Sequence, residues 1–250
     1  LNKTSGEVLV LGKDQSKHLN EVKRMIGLMP QEFNFNPFEP VEEILVNQAG
    51  YYGIDRSSAK AQAEILLKRM ELWDKRLDMA KSLSGGMKRR LMLARALIHQ
   101  PKILILDEPS AGVDVEIRRS MWKFLRELND QGMTIILTTH YLEEAESLCR
   151  NIAILDKGKI VEQTSMKKLL ARVSQQVLIL ESIEQLPDIL PTLDFKIERL
   201  DAYSIQVSLN DVNISQALIA LSENKIEIEH VRSAQNRLET LFLRLTSKAG

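Results

Sequence analysis

The chain has 250 residues and a mass of 28.5 kDa, and its 34 Lys and Arg are matched by 34 Asp and Glu. At 44% hydrophobic and 27% charged it has the composition of a folded globular chain, which excludes disorder as the main state, and its length suits one large domain or a large one with a small one. The lack of a basic excess argues against nucleic acid as a partner, the single cysteine Cys149 excludes an internal disulfide, and no apolar run approaches the ~18–20 residues of a membrane span.

Through residue 165, short β-branched runs alternate with longer helical patterns, which predicts an α/β fold. Glu7–Leu11 is expected as a short strand left at Gly12, and Ile26–Met29 as a second, stopped by Pro30. From Val41 to about Gln100 strand signals vanish, and Ala59–Met70, with Ala63, Leu66, Leu67 and Met70 at helical spacing, is the clearest helix. Ile103–Leu106 and Thr134–Thr138 then read as buried parallel strands, with a helix between them over Val115–Asn129. Ile152–Leu155 and Lys159–Glu162 flank Asp156-Lys157-Gly158, a hairpin signal.

Beyond Ala171 the character changes. Val177–Leu180, Phe195–Leu200, Ser204–Leu209 and Ile226–His230 predict short strands, and Ile214–Ser222 and Ser233–Leu245 helices, the last with Leu238, Leu241, Phe242 and Leu245 on one face. A boundary near 170–175 follows, giving a main domain over 1–170, with a helical stretch at about 40–100, and a small α+β domain over 175–250.

The residues that carry chemistry fall in the first part. Ser84-Gly85-Gly86 opens a helix; glycines let a backbone approach a ligand closely, and a helix start presents unpaired N–H groups, an anion site. The same residues also read as a serine N-cap ahead of a solvated basic face. The apolar run Ile103–Leu106 ends in Asp107-Glu108-Pro109, which places two adjacent carboxylates at the C-terminal edge of a parallel sheet, where ligands of such sheets bind. Asp107 suits Mg²⁺ through water, and Glu108 suits an attacking water. Each acid singly also reads as a turn or helix cap. Ser110–Asp114 follows, then a helix. His140 comes directly after the strand expected at Thr134–Thr139, and Gln31 after the one that Pro30 stops, so both fall at the same edge. His18, His99 and His230 are read as structural.

Taken in order, these segments resemble the ATP-binding cassette (ABC) ATPases over about residues 1–165. Leu83–Lys88 looks like their signature motif, Ile103–Glu108 like the Walker B strand with its catalytic Glu, Ser110–Asp114 like the D-loop, His140 like the switch histidine and Gln31 like the Q-loop glutamine. Gly112-Val113-Asp114, Thr139–Glu146 and Leu238–Thr246 resemble the branch that powers drug, antibiotic and polysaccharide exporters. The resemblance implies a P-loop-NTPase-like core, ATP and Mg²⁺ as cofactors, and a helical subdomain docked on a membrane-spanning permease subunit at the cytoplasmic face of the cell inner membrane. It implies a homodimer or a paired ATPase subunit. Glu108 and His140 would then be catalytic, Gln31 and Asp107 would meet the metal, and Ser84, Gly85, Gly86 and Asp114 would close on the nucleotide of the partner copy.

One feature of the family is missing. No G-x-x-x-x-G-K-[ST] stretch occurs; Gly12-Lys13 is followed by Asp14 and lies after the strand expected to follow such a loop. Together with a start at Leu1 rather than Met, this leads to the expectation of a fragment that lacks a strand-loop-helix unit of ~60–80 residues, and that does not hydrolyse ATP alone. A soluble ABC ATPase acting on ribosomes or DNA would share the motifs but usually carries paired cassettes or coiled-coil insertions. A non-catalytic subunit would fit a chain without the phosphate loop. The cluster Phe33, Phe35, Pro37 and Phe38 is expected either to touch the membrane subunit or to cap the helical core.

Overall fold

The computed structural model describes residues 3–171, 176–209, 212–234 and 238, and the chain falls into two compact units, 1–140 and 141–250. In the first unit, β1 (Leu9–Val10) and β2 (Lys13–Asp14) form a hairpin across Leu11-Gly12. Both turn residues have positive φ, 49° and 81°, as a tight two-residue hairpin turn requires. The strand expected over Glu7–Leu11 is therefore cut short, because Leu11 is used in the turn.

Helix α1 (Leu19–Met25) feeds β3 (Ile26–Met29), and then three helices pack on one another: α2 (Val41–Tyr51), α3 (Arg56–Arg69) and α4 (Gly85–Leu97). Their apolar stripes bury Ile44, Leu45, Ala63, Leu67, Leu91 and Leu93. Asp55 starts α3 by accepting the amides of Ser57 and Ser58, both at 3.0 Å.

The chain returns through β4 (Ile103–Asp107), α5 (Val115–Asp130) and β5 (Thr134–Thr138). Strands β3, β4 and β5 lie side by side in a parallel sheet, with Met29 opposite Leu106 and Asp107 opposite Thr138. A Cβ at Gly27 would fall 2.3 Å from the Ala96 carbonyl oxygen, so glycine is what lets the end of α4 close on this face. Burial of these strands on both faces is not what is found. Met29, Leu104 and Leu106 are buried, but on the other face Leu28 is 59% and Ile136 52% exposed. A continuous apolar run specifies a strand; it does not specify how many of its faces are covered.

The second unit begins with α6 (Leu142–Leu148), the hairpin β6 (Asn151–Asp156) and β7 (Lys159–Ser165), and α7 (Met166–Ala171). Lys157 and Gly158, at φ 46° and 78°, make its turn. Ala145, Ile154, Met166, Leu169 and Leu238 share one apolar cluster. A separate cluster, built on Leu178, Leu180, Ile205, Val207 and Leu221, lies under the antiparallel sheet of β8 (Gln176–Ser182), β9 (Lys196–Arg199), β10 (Ser204–Leu209) and β11 (Ile228–Ser233), with α8 (Ile214–Glu223). The order β11-β8-β10-β9 is that of a split βαβ unit whose first crossover, 183–195, has no helix. The boundary expected near 170–175 falls inside this unit, between its two clusters. Ser233 ends β11 instead of opening a helix, and most of the helix expected over Ser233–Leu245 lies outside the described residues.

Candidate active site

The parallel register brings the ends of three strands to one edge. Gln31 follows Met29, Glu108 follows Asp107, and His140 lies two residues past Thr138, so the acids, the amide and the imidazole expected at one edge are there together. Thr138 Oγ1 donates to Asp107 Oδ1 at 2.5 Å, and the Glu108 amide donates to the Thr138 carbonyl at 3.0 Å. These bonds tie the acidic pair to β5.

Glu108 is left-handed, with φ 49°, which for a residue with a Cβ costs about 1–3 kcal/mol and persists only where neighbours hold it. That turn swings its carboxylate to the end of β5. Oε1 accepts from the backbone N–H of His140 at 3.0 Å and lies 2.8 Å from His140 Nδ1. Oε2 is buried and has no hydrogen-bond partner among the described residues. A buried carboxylate oxygen without a donor is costly, and a water molecule is a donor that would satisfy it.

At the start of α4, Ser84 Oγ accepts the Met87 amide at 3.2 Å, so the serine does cap its own helix. The two glycines behave differently. Gly86 is buried, and a Cβ there would meet Ile117 Cδ1 of α5 at 2.3 Å; Gly85 is exposed, its nearest neighbour being the Gly112 carbonyl oxygen at 4.0 Å. Asp114 Oδ1 accepts the Ile117 amide at 2.8 Å and caps α5. Gly85 and Gly112 therefore bring the start of α4 beside the Ser110–Asp114 loop, with Ser84 and Gly85 facing outward.

Two features escaped sequence reasoning. Arg89, on α4, is only 6% exposed; its Nη1 donates to the Gln31 carbonyl at 2.6 Å and its Nε to the Ala111 carbonyl at 3.2 Å. Its position on the stripe Gly86–Arg89–Leu93–Ala96 was the available signal, masked by the basic run Lys88–Arg90. The second is the surface beside Phe38. The stretch 77–81 runs along 37–41, through the Pro40–Met79 bridge and the amides of Ala80 and Lys81. This adds Leu77 and Met79 to Phe33 and Phe38 as exposed apolar side chains, whereas Phe35 is half-buried against the Phe33 ring at 6.1 Å. His18 pairs with Glu21, and His99 stacks on Tyr52; neither joins the sheet edge.

Comparison with known proteins gives the family and the fold. The family model described as ABC transporter matches residues 1–111. The chain is 30% identical over 259 residues to the linearmycin resistance ATP-binding protein LnrL of Bacillus subtilis, a match covering 98% of this chain and 81% of that protein. It is 38% identical over 166 residues to the Nod factor export ATP-binding protein I of Burkholderia thailandensis, covering 66% of this chain and 55% of that one. The protein of the same name from Rhizobium etli is 40% identical over 159 residues, covering 64% and 50%. The match thus spans about half the length of these two Nod factor export relatives. Among solved structures, an ATP-binding subunit of an ABC transporter superposes with a TM-score of 0.61 at 23% identity, over 68% of this chain and 70% of that one. A dimeric ATP-binding cassette in a post-hydrolysis state, bound to ADP and Pi, gives 0.59 at 24% identity, over 65% and 74%. With the fold, the order of the motifs and a relative matched over 81% of its length in agreement, the chain belongs to the ATP-binding proteins of the ABC transporter family.

Proposed function

We propose that this chain is the ATP-binding subunit of an exporter, coupling ATP hydrolysis to transport through a separate membrane-spanning subunit at the cytoplasmic face of the cell membrane. The Glu108 carboxylate carries the hydrolytic reading: His140 holds one oxygen, and the other is buried without a donor among the described residues, at a ligand-binding sheet edge. Oε2 accepts the proton of an attacking water, and His140 both fixes the carboxylate and faces the terminal phosphate. The protein's part is positioning and charge stabilisation of a loose phosphoryl transition state.

Asp107 and the Gln31 side chain are the oxygen donors for Mg²⁺. No cluster of three Asp, Glu, His or Cys suited to a metal occurs among the described residues. This donor set fits an ion that keeps several waters and is carried by phosphate, as Mg²⁺ is. When bound, it would neutralise charge developing on the phosphates. Ser84, Gly85 and the loop ending at Asp114 close on the nucleotide of a second copy, and the relatives' names, linearmycin resistance and Nod factor export, support export as the direction. Phe33, Phe38, Leu77 and Met79 form the face that takes the membrane subunit; no helix among the described residues is long and apolar enough to cross a membrane.

A second reading rests on one observation: these 250 residues hold no G-x-x-x-x-G-K-[ST]. On that reading the chain completes a partner's site without hydrolysing its own ATP. The deciding experiment measures magnesium-dependent ATP turnover by the chain alone and by the chain joined behind a relative's G-x-x-x-x-G-K-[ST] segment, each with and without Glu108→Gln. Turnover that appears with the segment and vanishes with Glu108→Gln supports the catalytic reading. Turnover in neither form, with activity restored only to an intact partner, supports the second.

A further inference from the structure

Arg89 is a buried cation whose hydrogen bonds go to no carboxylate. Its two acceptors are main-chain carbonyls on two different loops, Gln31 after β3 and Ala111 after β4, and its guanidinium carbon stands 5.2 Å from the centre of the Phe33 ring. Burying a guanidinium is costly, and such groups are often replaceable by apolar ones with no loss of stability, so packing alone is a weak reason for one here. Nearby carboxylates offset part of that cost. Burial lowers its pKa, while the nearby Glu108 and Asp107 carboxylates act in the opposite direction.

The connection to the acid is short. The Ala111 peptide is held at both ends: Arg89 donates to its carbonyl, and its own N–H donates to the Glu108 carbonyl at 3.1 Å. That bond closes the turn in which Glu108 sits at φ 49°, a conformation that depends on its surroundings. Arginine suits this place and lysine does not. Two carbonyls in different directions and an aromatic face need a planar group with several fixed donors, whereas an ammonium is a point charge that reaches one of them.

We propose that Arg89 is a positioning residue, a strut between the Phe33 surface and the Glu108–Ala111 turn, so that a partner moving Phe33 shifts the turn that holds Glu108. This deepens the proposed function, on which the roles of the partner and of Glu108 rest; the strut itself does not need nucleotide. Phe33 lies two residues beyond Gln31, and Ala111 three beyond Glu108, so a displacement at one end reaches the other through one side chain.

The experiment uses the 250-residue chain without nucleotide and follows the Ala111 carbonyl carbon, read through the Gly112 amide by NMR, together with exchange of the Ala111 amide. In Arg89→Met the carbonyl resonance moves to its unbonded position, and the amide exchanges roughly ten- to a hundredfold faster. Phe33→Leu alone also moves the Ala111 carbonyl. The same Phe33→Leu change has no effect there in the Arg89→Met background, a non-additivity that a merely structural arginine does not produce. If Arg89→Met does not fold, the cycle is run in Arg89→Lys, which keeps the stem and the charge but spans one carbonyl. An Ala111 resonance indifferent to Phe33→Leu, or moved equally with and without Arg89, overturns the strut. Coupling in a chain that shows no turnover even when joined behind a G-x-x-x-x-G-K-[ST] segment keeps the strut and removes the ATPase reading instead.

Discussion

His140 addresses Glu108 twice through a single oxygen: its backbone N–H and its Nδ1 both meet Oε1, at 3.0 and 2.8 Å, and Oε2 is left buried with no hydrogen-bond partner among the described residues. The histidine thus orients the carboxylate. Joined behind a G-x-x-x-x-G-K-[ST] segment, the chain is expected to lose roughly a hundred- to ten-thousandfold in turnover with Glu108→Gln, while nucleotide binding stays within a few-fold. His140→Ala loses turnover as well, but leaves the backbone N–H bond to Oε1 in place, so its loss is smaller. Single-turnover rates and nucleotide affinity measured side by side check both. Equal losses in the two variants would mean that the His140 backbone bond does not hold Glu108.

The two glycines at the start of α4 separate packing from recognition. At Gly86 an added Cβ runs into Ile117 Cδ1 at 2.3 Å, the far end of a half-buried side chain, so Gly86→Ala forces Ile117 to turn and is expected to cost about 1 kcal/mol. Ile117→Val removes that methyl and should restore most of the loss, as thermal unfolding of the double variant would show.

A Cβ added at Gly85 would meet nothing nearer than 4.0 Å, and Gly85→Asp is expected to leave the melting temperature within about 2 °C. In a mixed dimer with an intact relative that carries its own signature mutation, Gly85→Asp on this chain places a carboxylate against the partner's phosphate and should abolish turnover at the composite site. Undiminished turnover in that dimer would remove Ser84-Gly85 from the partner's site.

Much of this site lies in runs that local chemistry makes legible. An apolar strand ending in Asp107-Glu108, a strand ending before His140 and a strand stopped by Pro30 ahead of Gln31 need only the rule that strand ends of a parallel sheet share an edge. The turn at Lys157-Gly158 is legible in the same way. What escaped depends on neighbours distant in sequence. Nothing near Gly86 announces Ile117, thirty-one residues on. The burial of Arg89 needs the Gln31 and Ala111 carbonyls to arrive from the loops after two strands, and the exposed faces of Leu28 and Ile136 reflect what covers the sheet, not what the strands are made of. The left-handed turn at Glu108 is the least legible: local propensity disfavours it, and the Thr138 and Ala111 bonds maintain it.

The apolar face around Phe38 makes a separate prediction. Phe38 is 65% and Leu77 69% exposed, so Phe38→Ser with Leu77→Ser should change stability by no more than about 0.5 kcal/mol each. On the proposed docking role, their loss should weaken binding to a membrane-spanning subunit by roughly tenfold or more, measured by retention on vesicles that contain it. Phe35→Ser, at the half-buried ring, should lower the melting temperature instead. Were all three to lower it alike, the aromatics would belong to the core of the helical part, and docking would have to lie elsewhere.

Acid sensitivity follows from His99. Its Nε2 donates to the Ile26 carbonyl at 3.0 Å, its ring stacks on Tyr52 with centroids 3.7 Å apart and planes 2° from parallel, and Nδ1 is buried with no hydrogen-bond partner among the described residues. Burial lowers its pKa from the ordinary 6.5, and the bond to Ile26 opposes this more weakly. The sign follows directly: with the folded value below the unfolded one, both states hold a neutral ring above 6.5, and neither gains from a change of pH. As the pH falls through 6.5 the unfolded chain takes up the proton first, so stability drops until the folded value is reached. His99→Gln keeps a donor for Ile26 but cannot titrate. The stability of the natural chain relative to this variant should therefore be constant from about pH 8 to about pH 7 and fall toward about pH 5, measured by denaturant midpoints at each pH. A difference that stays flat to about pH 5 would mean that the Tyr52 stack and the Ile26 bond accept the imidazolium as readily as water does.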